Sequence, residues 1–168
     1  MLSYKLELNI LHFDEKGYKK RVDEVIRIVI KEAMRRWLRK ALKIVPSWSG
    51  MSRASLRPLG QYLHVAVPID VVEGAPDRIA QGVAKAVTDF LKVSGGRYTF
   101  KMGTKVKHFK INDAYDATQW GFRLKNPGPY GIFETMEGDT KSYIIVELTR
   151  RLPSMVQYIK IKQTIIRR

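Results

Sequence analysis

Residues 2 to 13, LSYKLELNILHF, alternate between apolar and polar side chains. Leu2, Tyr4, Leu6, Leu8 and Ile10 fall on one side, and Ser3, Lys5, Glu7 and Asn9 on the other. A period of two predicts a half-buried strand. The DEKG that follows predicts a turn. From residue 18 to 45 the period changes. Val22, Val25/Ile26, Val29, Ala33, Trp37, Ala41 and Ile44 recur at steps of three and four, which predicts one long helix with a single apolar stripe. Arg21, Lys31, Arg35, Arg39 and Lys43 lie largely off that stripe. Pro46, which lacks an N–H and clashes with the preceding turn, is the expected stop. At about 1.5 Å per residue such a helix is roughly 40 Å long, enough to be the spine on which a sheet packs.

Further along, YLHVAVPI (62–69) alternates and predicts a strand with Leu63, Val65, Val67 and Ile69 on one side. Residues 74 to 96 predict a second helix. Pro76 would lie in its first turn, Ile79, Val83, Val87 and Phe90 on its buried face, and Gly95-Gly96 at its end. Residues 97 to 111, RYTFKMGTKVKHFKI, predict a hairpin about Gly103-Thr104. FRLKNPGPYGIF predicts a short strand and a Pro/Gly loop, and KSYIIVEL (141–148) another strand. The remaining segment carries two periods at once. Leu148, Leu152, Met155/Val156 and Ile159 have helical spacing, while YIKIKQTII alternates; a helix from about Pro153 is the expectation. With no internal repeat and no linker, the fold class expected is one α+β domain over residues 1–168, a long amphipathic helix packed on a mostly antiparallel sheet with a second helix.

Charge alters this picture more than the rest of the composition. The 168 residues hold 31 Lys and Arg against 16 Asp and Glu, a net charge of +15. A field of that sign favours polyanions: nucleic acid, an acidic protein surface or anionic lipid. The 45% hydrophobic content is that of a folded chain, and no apolar run is long enough to span a bilayer. The opening residues alternate and include Glu7, unlike a signal peptide. With no cysteine, disulfides and thiolate metal sites are excluded.

Candidate chemistry is sparse. His12, His64 and His108 have no second histidine or carboxylate at ligand spacing. Asn112, Asp113 and Asp116 lack the alternating donors and distant glutamate of a calcium loop, and read as a turn. The glycines of SGGRYTFKMG follow a helical pattern instead of opening one, the wrong polarity for a phosphate cradle. Glu134 and Glu137 form the one pair suited to acid/base work, with nothing to suggest a substrate. No enzyme and no cofactor are expected. For nucleic acid, the candidate set is Arg97, Lys101, Lys105, Lys107 and Lys110, interleaved with Tyr98, Phe100 and Phe109. Such a hairpin can track a backbone and stack bases. Alternation fits a two-faced hairpin at least as well, with the aromatics in the core and the lysines in water.

The stretch behind the long helix, KIVPSWSGMSRASLRP (43–58), has an order of residues that says more. It resembles the motif of tailed-phage neck proteins, the tail-completion or head–tail joining family. In that family Pro-Val-Asp-Thr-Gly-x-Leu-Arg-x-Ser-Ile/Leu follows a long basic amphipathic helix. Pro46 matches the proline, Ser49-Gly50 stand for Thr-Gly, Arg53 and Ser55 match the arginine and serine, and Leu56 closes the motif. Trp48 replaces the aspartate and Ser52 the leucine, which alters the cap and the loop packing. A second family element, Tyr-Ala-x-Tyr-x-Glu-x-Gly, resembles NPGPYGIFETMEG through Tyr130, Gly131, Phe133 and Glu134, with Gly138 displaced. In order, the two elements span much of residues 18 to 138.

This resemblance implies a structural virion protein of the neck, made in the host cytoplasm. It implies a homo-oligomeric ring, a hexamer in preference to a dodecamer, because a repeated heterologous interface closes when each copy meets the next by one rotation. Its neighbours would be portal-side connector or stopper proteins and tail-tube proteins, with non-specific contact to passing DNA and no membrane. The residues it singles out are Ser49, Gly50, Arg53, Ser55, Tyr130 and Glu134, with Arg53 and Glu134 expected to pair. The alternative from charge alone is a small basic cytosolic nucleic-acid-binding protein.

Overall fold

The computed structural model describes residues 2–11, 16–45, 48–107 and 132–167. It is an α+β fold. Strand β1 (Leu2–Ile10) leads into helix α1 (Lys16–Ile44), and two short helices follow, α2 (Met51–Ala54) and α3 (Arg57–Leu63). After α4 (Ile79–Ala84) come strands β2 (Leu91–Ser94) and β3 (Arg97–Thr104). The chain then runs through α5 (Ile132–Arg151) and a 3-10 turn at Val156–Tyr158 into β4 (Ile159–Arg167). The strands form one antiparallel sheet in the order β2-β3-β1-β4.

Both strongest periods in the sequence produce the expected elements. On β1, Tyr4, Leu6 and Leu8 are buried. On α1, Val22, Ile26, Val29, Ala33, Trp37 and Ala41 are buried, and so are Ile30, Met34 and Leu38. The buried arc is wider than one stripe because α1 packs both on the sheet and along α5. Along the α1–α5 seam, Arg151 donates to Glu32 at 2.8 Å and Tyr143 Oη donates to the same carboxylate at 3.2 Å. The Arg36 guanidinium lies 4.5 Å from the centre of the Tyr143 ring. Lys40 reaches Asp139 at 2.6 Å.

Five expected elements differ from those observed. Residues 62–69 form no strand. Tyr62 and Leu63 end α3, and the rest is extended chain whose burial still alternates, with Val65, Val67 and Ile69 half-buried. Pro68 supplies no N–H for a ladder, and this segment packs back over α3, where Val65 N donates to Gly60 O at 2.9 Å. The helix expected over 74–96 shortens to α4, and Val83 on its expected buried face is exposed. Gly95 and Gly96, with φ of 54° and 75°, form the two-residue turn joining β2 to β3 instead of ending a helix. Positive φ at both central residues is the turn whose twist suits a tight hairpin, and glycine adopts it without a Cβ clash. The hairpin therefore turns at 95–96 and not at 103–104, and residues 97–104 are one strand.

Residues 141–148 are helical, inside α5, and not a strand. Ile144 and Leu148, four apart, form its buried line, continued by Leu152 just past its end, while Ile145 and Val146 face outward. The end of the chain is strand β4 and not a helix, because the alternation of IKIKQTII matches the free edge of β1 along its whole length. Tertiary pairing outweighed local spacing at both places. The short strand and Pro/Gly loop expected at 122–133 lie largely outside the described residues.

One side of the sheet carries the core. Tyr98, Phe100 and Met102 of β3 and Tyr4, Leu6 and Leu8 of β1 face α1, with Tyr62, Phe90 and Phe100 clustered at ring separations of 4.8 to 6.4 Å. Tyr98 Oη donates to Asp23 of α1 at 2.8 Å, and Arg27 donates to the other oxygen of the same carboxylate at 2.7 Å. Burial works against the Asp23 charge, but these two donors hold its pKa below the ordinary carboxylate value. Burial, and then the hydrogen bond to Asp23, push the Tyr98 phenol up.

Candidate functional site

The loop behind α1 is built around Arg53. Its Nε donates to Val45 O at 2.8 Å, and its two terminal nitrogens to Leu42 O at 3.3 Å and Pro68 O at 3.4 Å. The last carbonyls of a helix have no partner within it, and a guanidinium supplies a planar set of donors. Arg53 thus closes the end of α1 and ties it to the extended segment at 65–72. Gly50, at φ 73°, is the N-cap of α2, where no hydroxyl side chain caps. A Cβ there would meet Ile69 Cγ2 and Ile79 Cγ1, each at 2.9 Å. Ser49 O accepts from Arg78 N at 3.1 Å. Ser55 is buried, and its hydroxyl donates to Ser52 O at 2.7 Å. Gly82 of α4 packs so closely on α2 that a Cβ would stand 2.3 Å from Met51 O.

Ser49, Gly50, Arg53 and Ser55 therefore form one unit with α2, α4 and the end of α1. Tyr130 lies outside the described residues. Glu134 belongs to α5, but its side chain, like that of Glu137, lies outside them, so the expected Arg53–Glu134 pair is not described. Arg53's described partners are main-chain carbonyls.

The expected basic hairpin is divided between a strand and the chain beyond it. Arg97 and Lys101 are on β3, while Tyr98 and Phe100 between them point into the core. Lys105 and Lys107 follow the strand, with Lys105 N donating to Lys85 O at 2.8 Å. Lys110 and Phe109 lie outside the described residues. Arg97 and Lys101 have neighbours that the linear sequence does not group. Across β1, Lys5 is opposite Lys101 and Glu7 is opposite Thr99. Across β4, Lys162 is opposite Glu7 and Lys160 opposite Asn9, and on β2 Lys92 is opposite Thr99. All share the face of the sheet turned away from α1, because paired residues in antiparallel strands point the same way.

At the centre of this face sits Glu7. Lys5 Nζ is 3.0 Å from its Oε1 and Arg97 is 3.4 Å from the same oxygen. Arg97 Nε also donates to Asn9 Oδ1 at 3.2 Å. The hydrogen bond from Lys5 outweighs burial and, with the charges of Arg97 and Lys162, holds the Glu7 pKa below the ordinary carboxylate value. The signal that finds this face was in the alternation of β1 and β4, whose polar positions bring Lys5, Lys160 and Lys162 to one side.

Among the described residues no cluster of histidines and carboxylates has the makings of a metal site. His64 is exposed at the end of α3; His12, His108, Asn112, Asp113 and Asp116 lie outside the described residues. No described helix is long and apolar enough to cross a membrane. No family model matches the chain, and no curated protein or solved structure matches it.

Proposed function

We propose that this chain is a structural, non-enzymatic subunit of a tailed-phage neck, one copy of a closed ring that joins the tail to the DNA-filled head. The observation that supports this reading is the Arg53 loop. Ser49, Gly50, Arg53 and Ser55 of the first motif fold as a single unit at the end of α1, with the arginine bonded to carbonyls on both sides of the loop. A stiff joint of this kind suits a subunit that must present the same surfaces in every copy of a ring. Its neighbours would be a portal-side connector or stopper and the tail tube, and DNA would pass without base-specific contact.

A second reading, a small cytosolic nucleic-acid-binding protein, is favoured by the cationic face of the sheet. One measurement separates the two: peptide quantification on gradient-purified virions of the phage that carries this gene. A fixed content of about six or about twelve copies per particle is the expected result. Absence from particles, with the protein left in the soluble lysate, overturns the neck reading in favour of the second.

A further inference from the structure

We infer that the sheet face turned away from α1 is a binding surface for the phosphate backbone of nucleic acid. The inference holds under either reading above and rests on neither. Six cations from all four strands lie on this face: Lys5, Lys92, Arg97, Lys101, Lys160 and Lys162. They meet one carboxylate within the face, Glu7, and one at its rim, Asp89, 3.4 Å from Lys92. Among the described residues no helix packs on this side; the core contacts of α1, α3 and α5 are with the opposite face.

Three properties select nucleic acid from the polyanions. First, the sheet fixes the spacing of the cations. Lys160 and Lys162 on β4 are roughly 6.6 Å apart, and with neighbouring strands about 4.8 Å apart the row from Lys92 to Lys162 is about 14 Å across. A duplex backbone, with one charge per roughly 1.7 Å of axis, can neutralise several of them at once. Second, the positions between the cations include hydrogen-bonding groups: Asn9, Thr99 and Thr164. Hydroxyl and amide side chains are frequent phosphate contacts. Third, among the paired strand positions of this face Ile166 is the one apolar side chain. A membrane-binding surface needs apolar groups to insert, and a protein interface an apolar centre. The aromatics of β3 point inward, so no base is stacked and no sequence is read.

Glu7 has a defined part. Held between Lys5, Arg97 and Lys162, it spaces the cations and keeps the face from being uniformly repulsive. Its charge also opposes a phosphate at the centre, which favours backbone contacts on both flanks.

The test is titration of the full chain into a labelled, random-sequence DNA duplex at several NaCl concentrations. Neutralisation of about five phosphates gives a slope of log K against log salt near −4.5. The double variant Lys160→Gln/Lys162→Gln should shorten that slope by about 2 and weaken binding about tenfold or more at 0.1 M salt. Arg39→Gln/Lys43→Gln removes the same net charge from exposed positions of α1 and should leave the slope within about 0.5 of the parent. If the double variant unfolds, Lys162→Gln alone should lower the slope by about 1. Equal loss in both doubles would show that net charge, not this face, holds the DNA, and would overturn the inference. So would no loss in the β4 variant, or binding to anionic phosphatidylserine vesicles without binding to DNA. None of these outcomes bears on copy number in virions, so the neck reading stands or falls separately.

Discussion

The two faces of the sheet are made by the same four strands and do opposite work. On one, Tyr4, Leu6, Leu8, Tyr98 and Phe100 are removed from water beneath α1. On the other, Lys5, Arg97, Lys101, Lys160 and Lys162 surround one glutamate. Burial of apolar area stabilises the first face strongly. Charges on the second gain little from each other in water, and their mutual repulsion is relieved by Glu7, by salt or by a bound anion. Fold and proposed ligand contact are thus separable to within one residue step along each strand.

The largest expected effect lies on the apolar face. Phe100→Ala removes a fully buried ring and should cost about 3–5 kcal/mol in denaturant unfolding. A loss below about 1 kcal/mol would mean that this face is not the core. Next comes the loop that the apolar face supports. Arg53→Ala leaves the carbonyls of Leu42, Val45 and Pro68 short of a charged donor and should cost about 1.5–3 kcal/mol. If stability is unchanged but particle assembly fails, the arginine acts between subunits and not within one.

Glu7 sharpens the contrast through pH. Its folded-state pKa is lowered, so its contribution to stability is present above the ordinary value of 4.5 and is lost as pH falls through the lowered value. At pH 7, Glu7→Gln should therefore melt below the parent, and the gap should close as pH falls below 4.5. The same variant should bind duplex DNA more tightly. A gap independent of pH would mean that the lost hydrogen bonds, not the charge, set the difference. The smallest effect belongs to the cationic face: Lys160→Ala should change stability by no more than about 0.5 kcal/mol. A larger loss would mean that the face is part of the fold's own packing.

Long uninterrupted periods in the sequence were enough to find β1 and α1 and many of their buried side chains, but not Ile30, Met34 and Leu38 of α1. The elements that escaped were those decided by a distant partner. Residues 141–148 have a strand-like run, Tyr143-Ile144-Ile145-Val146, but α1 offers a seam into which Ile144 and Leu148 fit at helical spacing. Residues 159–167 alternate, yet nothing local says that β1 has an edge to receive them. Gly95-Gly96 serves equally to end a helix or to reverse a hairpin, and the pairing of Val93 with Tyr98 settles it. The loop of the candidate site was legible as a motif, but the acceptors of Arg53 were not, since they come from two separate stretches of chain, the end of α1 and the segment at Pro68. The cationic face was half legible. The polar alternation of β1 was evident, but grouping it with Lys160 and Lys162 required the sheet order.

That order has a kinetic consequence. β1 is an interior strand whose second neighbour is β4, and Leu2 pairs with Arg167. A ribosome adding roughly 5–20 residues each second needs roughly 8 to 30 seconds to make the intervening chain. Through that interval the side of the nascent β1 that β4 covers in the folded sheet lacks that partner. Contacts this distant in sequence also slow the search itself. A free strand edge in a crowded cell invites pairing with other nascent chains, and Lys5, midway along β1, is the kind of charge that discourages it. The arrangement of strands therefore makes synthesis of β4, more than collapse of the long helix, the event that commits the chain to its fold.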